Sequence, residues 1–312
     1  MIESRTNTTE IKAIKGISDF DEAINTFGIN FNVDRVPHFT NINGVLRNIP
    51  QNECIVRTDT YNTIGIVGNN YPIISPRDKF KVFESFAQEG IIEFVNGGTF
   101  GKYGGKVFLQ ARIKGSLNLT AQKGEIVEKR ITFISSYDGG KSNELFLTPY
   151  RLICANGMVV PEKALTKFKV RNSTNCYDAI QNAVIVIEEA INEYREIDVF
   201  FNKLMESKPL GEKQVERFVD LVIPSPSEKV STRTANRRTS MIETIFSGVG
   251  QKEIKTMNLW KLLQGATCFT NNTEGSKKSD RFDYVYFGTG NNINETAYNV
   301  VSEALIDDVI LN

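Results

Sequence analysis

The hydrophobic pattern changes character several times along the chain. Thr63 to Val67 and Ile91 to Val95 are short runs rich in β-branched and apolar residues, and such runs predict β-strands. Between them, Pro76 to Glu89 has apolar residues at helical spacing, and a proline is favoured in the first turn of a helix. The pattern therefore predicts a helix between two strands.

Alternating segments continue through the middle of the chain. Lys106 to Ile113 and Ile126 to Ser135 predict strands, and Leu145 to Cys154 predicts a third that is interrupted at Pro149. Glycine-rich stretches separate these segments. We therefore expect an antiparallel β-meander with flanking helices.

A helical period begins after Asn175 and continues to about Ser207. The pattern predicts a long amphipathic helix, about 45 Å in length if it is continuous. Two interpretations are open: the apolar stripe packs on the protein's own sheet, or it pairs with a helix of another molecule. The stripe consists of Ile180, Val184, Ile187, Ile191, Tyr194, Phe201 and Leu204.

The remainder of the chain is predicted to be helical. A helix from Glu212 to Val222 ends at the Pro224-Ser225-Pro226 linker, and we expect further helices near Arg233 to Phe246, Met257 to Phe269 and Asn294 to Val309. The fold class is α+β. We predict a polar, peripheral segment at residues 1–55, a β-rich core with the long helix at 56–223, and a helical region with an acidic end at 224–312.

Charge is strongly segregated although the net charge is zero. Thr99 to Asn175 holds 13 Lys and Arg against 5 Asp and Glu, whereas Cys176 to Ile223 holds 5 against 10. Phe282 to Asn312 has five acidic residues and no Lys or Arg. The basic middle indicates an anionic partner, and the acidic end suggests a protein partner.

Several classes of protein are disfavoured by the composition. The chain opens without a basic and apolar leader and has no apolar run of membrane-spanning length, so we expect a cytoplasmic protein with no membrane partner. The four cysteines form no CxxC pair, and a single histidine, His38, disfavours catalytic triads and multi-histidine metal sites. We predict no catalytic residues, no metal and no cofactor.

The segment Ser135 to Ser142 ends in Gly-Lys-Ser, as a phosphate-binding loop does. However, a serine occupies the position of the first glycine, and no convincing helix follows to bind a phosphate with its N-terminal amides. A β-turn with a basic tip is the simpler interpretation. Asp138 and Gly139 are then turn residues first, with a functional acid at Asp138 as the alternative.

The second glycine-rich stretch, Asn96 to Gly105, predicts a hairpin loop in which aromatic residues and lysines alternate. Aromatic rings can stack on unpaired bases while lysines bind phosphates, and a plain β-core is the competing interpretation. The candidate nucleic-acid-binding residues in the β-rich middle are Phe100, Lys102, Tyr103, Lys106, Arg112, Tyr137, Lys141 and Arg151.

Two further basic clusters extend this candidate surface. Lys167, Lys169 and Arg171 alternate along a predicted strand and therefore share one face, opposite Phe168 and Val170. Arg233, Arg237 and Arg238 lie near the start of a predicted helix, where positive charge is unfavourable unless an anion compensates it. A solvated face is the common explanation for any single cluster of this kind.

Four blocks of the sequence resemble the phage/plasmid-like family, a domain of unknown function found in phages, plasmids and integrated elements. The blocks are Thr63 to Phe86, Gly97 to Ile113, Ile134 to Met158 and Asn258 to Asn271. The most specific elements read Ser136-Tyr137-Asp138-Gly139 and Pro149-Tyr150-Arg151-Leu152-Ile153-Cys154-Ala155-Asn156. Relatives tend to have Arg-His-Thr where this chain reads Arg171-Asn172-Ser173.

The order of predicted elements is also similar to the core of phage single-strand annealing proteins, although this is only an analogy of fold. We therefore expect a non-catalytic, oligomeric single-stranded DNA-binding protein of a phage or mobile element, acting in recombination or replication in a bacterial host. Two alternatives are open. One is an interaction or structural protein that binds acidic proteins, and the other is a nucleotide-dependent enzyme that uses the Asp138 to Ser142 loop.

Overall fold

The structure of the protein is a computed structural model. It describes residues 16–117, 119, 126–152, 156–157, 168–173, 175–225, 230–274 and 281–312. Two compact units are present: one comprises residues 1–114, 130–146 and 166–191, and the other comprises 115–129, 147–165 and 192–312.

Ten strands are assigned within the described residues. Their bounds are β1 Val33–Ile42, β2 Val45–Arg57, β3 Thr63–Gly68, β4 Ile92–Phe100, β5 Lys106–Ser116, β6 Val127–Ser136, β7 Asn143–Leu147, β8 Tyr150–Arg151, β9 Asn156–Gly157 and β10 Phe168–Val170.

Ten α-helices are assigned over the same parts of the chain. Their bounds are α1 Phe20–Thr26, α2 Pro76–Phe80, α3 Glu84–Gln88, α4 Cys176–Gln181, α5 Ala183–Glu206, α6 Glu212–Val222, α7 Thr232–Ser247, α8 Leu259–Cys268, α9 Arg281–Phe287 and α10 Thr289–Ile306.

The predicted α+β class and the antiparallel meander are confirmed. In the first unit, hydrogen-bonded neighbours follow the order β10-β7-β6-β5-β4, and β1, β2 and β3 form a separate antiparallel sheet. In the second unit, β8 pairs with Val127 and Glu128 at the start of β6 and also with β9. The predicted break at Pro149 is present, because β7 ends at Leu147 and β8 begins at Tyr150.

The core of the first unit is rich in phenylalanine. The Phe80 and Phe133 rings meet edge to face with their centroids 5.4 Å apart, and Phe94 lies 6.2 Å from Phe83 and 5.9 Å from Phe20. These contacts bring α1 and the helices after β3 together with β4 and β6. The predicted apolar face of the Pro76 to Glu89 helix is confirmed, although a 3-10 turn at Lys81–Phe83 divides it into α2 and α3.

The second unit is a helical bundle around Trp260. The Trp260 ring is fully buried and lies 5.0 Å from the ring of Phe201 on α5. Gly265 lets α7 approach α8 closely, because a side chain there would collide with Ile245. Four predicted helices correspond to α6, α7, α8 and α10 within a few residues, whereas α9 was not predicted.

Three sequence-based expectations need correction. Residues 16–55 are not merely peripheral, because Phe20, Ile24 and Phe31 are buried in the core and a long hairpin, β1–β2, follows them. The long helix is interrupted at Asn182, which lies between α4 and α5. Asn96 to Phe100 is not loop but the end of β4, where Gly97 leaves room for the Phe27 ring.

Five of the seven residues of the apolar stripe are buried within a single chain, and Val184 and Ile191 are half-buried. Ile180, Ile187, Tyr194, Phe201 and Leu204 are all at most 1% exposed. This favours packing inside the protein, since these side chains are already removed from solvent without a second molecule.

Candidate nucleic-acid interface

Three of the predicted surface residues are buried in the structure. Phe100 is 6% exposed and packs against Phe108 at 5.9 Å, while Tyr137 and Arg151 have no exposed surface. The Arg151 guanidinium donates a hydrogen bond to the Gly250 carbonyl oxygen at 3.0 Å within the second unit. Burial removes these three residues from the predicted binding surface. Alternation of aromatic and basic residues did not distinguish core from surface here.

Tyr103 remains on the surface, with 69% of its area exposed. It lies in the 3-10 turn Lys102–Gly104 between β4 and β5 and has φ of 62°. Lys106 follows this turn, and its Nζ atom lies 5.6 Å from the centroid of the Phe100 ring. The loop therefore presents an exposed aromatic ring with lysines beside it in sequence. Lys102 belongs to this loop, but its side chain lies outside the described part of the structure.

Arg112 lies farther along β5 and forms an ion pair with Glu93 of β4. The two residues are direct cross-strand partners in the register of this pair of strands. Cross-strand pairing of opposite charges stabilises a sheet, so the structure gives Arg112 a role in the fold.

The Gly-Lys-Ser segment forms the connection from β6 to β7. Asp138 Oδ1 accepts a hydrogen bond from the Gly140 amide at 2.8 Å, and Gly139 has φ of 71°. These are features of a turn, as predicted for Asp138 and Gly139. The chain then enters β7 and not a helix, so it lacks the N-terminal amides that hold phosphate in a P-loop.

The start of this turn is packed closely against β3, while Gly139 and Gly140 at its tip are exposed. A side chain on Gly65 would overlap the Tyr137 carbonyl oxygen, and one on Gly105 would overlap the Ile64 carbonyl oxygen. The Tyr137 amide donates to the Gly105 carbonyl oxygen at 2.7 Å. The two glycines therefore allow three backbone segments to meet.

A buried polar network connects α2 with the two strands, β6 and β7, that flank the same turn. Lys79 of α2 donates from Nζ to Ser135 Oγ at 2.7 Å, and Ser135 donates to Asn143 Oδ1 at 2.7 Å. Lys79 Nζ also lies 4.0 Å from the centroid of the Tyr137 ring. Sequence reasoning missed Lys79, because a lysine in an amphipathic helix normally lies on the solvent face.

Asn172 completes this network at the position where the resembling family tends to have histidine. Its Oδ1 accepts from Asn143 Nδ2 at 2.9 Å, and its Nδ2 donates to the Lys141 carbonyl oxygen at 3.0 Å. Asn172 therefore holds the Lys141 backbone and the Asn143 side chain at the point where β7 begins. An amide can donate and accept at once, so this position stabilises the turn without titrating.

Burial perturbs the titratable groups of the network. It lowers the pKa of Lys79 to about 7, and the nearby Cys176 thiol opposes this effect. Burial also raises the pKa of Tyr71, whose hydroxyl donates to the Ser136 carbonyl oxygen at 2.8 Å, to about 12. The pKa of Tyr137 is raised well above its ordinary value for the same reason. The Cys176 pKa is raised for the same reason, and Lys79 partly offsets the rise. Desolvation disfavours the charged form of each group.

The basic face of β10 is only partly covered by the structure. Lys169 and Arg171 are exposed, while Phe168 and Val170 are half-buried, as the alternation predicted. Lys169 Nζ lies 3.3 Å from Glu144 Oε1 on the neighbouring strand β7. Lys167 lies outside the described residues.

The arginines of α7 are divided between surface and structural contacts. Arg233 is exposed. Arg237 makes a two-pronged ion pair with Glu274, which also accepts a hydrogen bond from Tyr284 at 2.6 Å. Arg238 pairs with Asp220 at 2.7 Å. The unfavourable placement of arginines near a helix start is thus compensated by the protein's own carboxylates for two of the three.

Sequence reasoning also missed Tyr61, in the turn between β2 and β3. Its side chain is 84% exposed and its φ is 57°. The available signal was an aromatic residue in a polar turn, Asp59-Thr60-Tyr61-Asn62. Backbone strain cannot be read from composition, so the position looked like an ordinary turn.

Metal and membrane sites are not indicated in the described part of the chain. No cluster of three or more His, Cys, Asp or Glu residues able to hold a metal ion occurs there. Among the same residues, no helix is both long and apolar enough to span a lipid bilayer.

Comparison with known proteins yields a family assignment. Residues 63–300, which make up more than half of the chain, match the family model described as a domain of unknown function, DUF932. No curated protein matches the chain significantly, and no solved structure does either. The four sequence blocks that suggested a domain of unknown function lie within the matched residues. The chain therefore belongs to the DUF932 family.

Proposed function

We propose that this protein binds single-stranded DNA without catalysis and serves a phage or mobile element inside a bacterial host, in strand annealing during recombination or replication. The observation that supports it most directly is Tyr103, an exposed aromatic ring on a tight turn between Lys102 and Lys106. Exposed aromatic rings stack on unpaired bases of any sequence, and nearby lysines neutralise phosphates.

Charge supplies the second support. Lys169 on β10 and Arg171, the residue that follows β10, are exposed in the same unit as Tyr103, and the segment from Thr99 to Asn175 has a net charge of +8 from 13 basic and 5 acidic residues. A polyanion is attracted to such a local excess even when the whole protein is neutral. The motif resemblance to the phage/plasmid-like family supports the mobile-element context.

Fluorescence anisotropy with a labelled oligothymidine across a salt series tests the proposal. We expect the logarithm of the affinity to fall linearly with the logarithm of salt concentration, with a slope of about −0.7 for each phosphate contacted. Double-stranded DNA of equal length should bind more weakly, because its bases are already stacked. Absence of binding at low salt would refute the proposal.

Tyr103→Ala should weaken binding of the oligonucleotide about 5- to 150-fold, the range expected from loss of one stacked base. Tyr177→Ala is the matched control, since Tyr177 is also exposed, at 47%, and lies in the same unit on α4. Equal binding by both variants would argue that the loop is not the contact. Preferential binding of acidic proteins over DNA would instead favour an interaction protein.

A further inference from the structure

Tyr61 shares two unusual properties with Tyr103. Both tyrosines are largely exposed, at 84% and 69%, and both have a left-handed backbone, with φ of 57° and 62°. A bulky side chain disfavours this conformation, which normally belongs to glycine or asparagine in turns. Nothing about a solvated turn requires a tyrosine there, so the unfavourable backbone points to a role for the ring itself.

The turn that carries Tyr61 is held rigidly. Arg57 forms a two-pronged ion pair with Asp59, at 3.0 and 2.7 Å, and its guanidinium lies 3.9 Å from the centroid of the Phe31 ring. This pair lowers the pKa of Asp59 and neutralises the one carboxylate of the turn. The Tyr61 amide donates to the Arg57 carbonyl oxygen at 2.9 Å. Tyr61 is therefore presented on a fixed backbone.

The turn that carries Tyr61 and the turn that carries Tyr103 lie next to a contact between β3 and the Lys102–Gly104 turn in the first unit. Tyr61 precedes β3 by two residues, and β3 contacts the Lys102–Gly104 turn that holds Tyr103. Gly105, just after that turn, is pressed so closely against the Ile64 carbonyl oxygen that a side chain would not fit. The two rings thus belong to adjoining loops.

We propose that Tyr61 and Tyr103 together form a stacking platform for unpaired bases of a single-stranded nucleic acid. Each ring would contact the face of one unpaired base. This inference rests on the proposed function and adds to it the residue that receives a second base. A turn whose backbone is already held loses little conformational entropy on binding, which favours affinity.

The experiment measures the affinity for two oligonucleotides of equal length and charge, one that carries bases and one that carries abasic sites. The strand with bases also contains 2-aminopurine as a fluorescent reporter of stacking. Tyr61→Ala should weaken binding of the base-containing strand about 5- to 150-fold and leave binding of the abasic strand and the salt slope unchanged. Tyr61→Phe should retain affinity, since its ring still stacks. The 2-aminopurine fluorescence change should also be lost in Tyr61→Ala.

The possible outcomes separate this inference from the proposed function. If the wild-type protein binds DNA but Tyr61→Ala binds the base-containing strand equally well, the platform is refuted and DNA binding stands. If the wild-type protein binds neither strand, both fail. Tyr61→Gly guards against misfolding, because glycine accepts the left-handed backbone and should lower affinity without lowering the melting temperature.

Discussion

Lys79 lies in the core of the first unit with 1% of its surface exposed, although its Nζ atom is bonded to Ser135. A buried ammonium is costly, and here burial lowers the pKa to about 7 from 10.5. Between these two values the unfolded chain binds more protons than the folded chain. The contribution of Lys79 to the free energy of unfolding therefore rises with pH across this window.

We predict that this rise depends on Lys79. Relative to Lys79→Met, the wild-type protein should gain about 2 kcal/mol of stability between pH 7 and pH 9, because each pH unit within the window contributes up to about 1.4 kcal/mol. Urea denaturation at both pH values measures the difference. Lys81→Met, at an exposed position in the adjoining turn, should show no such change. A pH-independent difference for Lys79→Met would show that the buried amine does not change protonation on unfolding.

Two glycines of β3 differ in the space around them, so substituting each by alanine gives a second test at the level of single residues. A methyl group on Gly65 would overlap the Tyr137 carbonyl oxygen, whereas the nearest atom to one on Gly68 is the Gln51 carbonyl oxygen at 4.0 Å. Gly65→Ala should lower the free energy of unfolding by about 1–3 kcal/mol through overpacking. Gly68→Ala should remain within about 0.5 kcal/mol of wild type. Thermal denaturation distinguishes them, and equal effects would contradict the close approach.

At the scale of elements, β2 spans two environments. Within the described residues its outer part pairs with β1 alone, since β3 pairs with residues from Asn52 onward. Leu46 in the outer part is 71% exposed, and Ile55 in the inner part is fully buried. A two-stranded ribbon without a third strand gains little stability from packing.

Substitutions in the outer and inner parts of β2 should therefore change the free energy of unfolding by different amounts. Leu46→Ala should change the free energy of unfolding by less than about 0.5 kcal/mol, while Ile55→Ala should cost about 2–5 kcal/mol. Urea denaturation of the two variants under one set of conditions gives both values. A large loss for Leu46→Ala would mean that the outer ribbon is covered in solution.

Element type was predictable where one period dominates over many residues. The α6 prediction agreed with the observed Glu212–Val222 bounds, because its apolar positions follow helical spacing and a proline follows its end. The β1–β2 hairpin was missed: its outer part is exposed on both faces, so its sequence shows no consistent alternation. Asn43-Gly44 was the available hairpin signal.

The candidate site was predicted less completely than the fold. Tyr103, Lys169 and Arg171 are exposed as expected, but Phe100 and Tyr137 are in the core. Sequence distance does not reveal which ring faces a neighbouring sheet or helix, and tertiary packing decides it. Tyr61 was missed for a different reason: its distinguishing feature is a backbone angle, which the sequence does not reveal.

At the scale of the whole molecule, basic residues separate into those that stabilise the fold and those that remain exposed. Arg237 is paired with Glu274, which is only 18% exposed, whereas Arg171 is on the surface. Loss of the first leaves a carboxylate without its main partner. Loss of the second removes charge that a polyanion could use.

The two arginines should therefore give opposite results. Arg237→Ala should lower the free energy of unfolding by about 1–3 kcal/mol without altering the salt slope of DNA binding. Arg171→Ala should leave stability unchanged and reduce the magnitude of that slope by about 0.7. Calorimetry and anisotropy measure the two properties. If Arg237→Ala changed the slope as Arg171→Ala does, the proposed division would be wrong.

The sealed position of Lys79 makes it a reporter of motion in the first unit. Acylating reagents attack only an accessible, neutral amine, and the Lys79 nitrogen is enclosed by Ser135 and the Tyr137 ring. Its labelling therefore requires the unit to open. Mass spectrometry of the peptide that contains Lys79, sampled over time, would measure how often that opening occurs and whether a bound nucleic acid slows it.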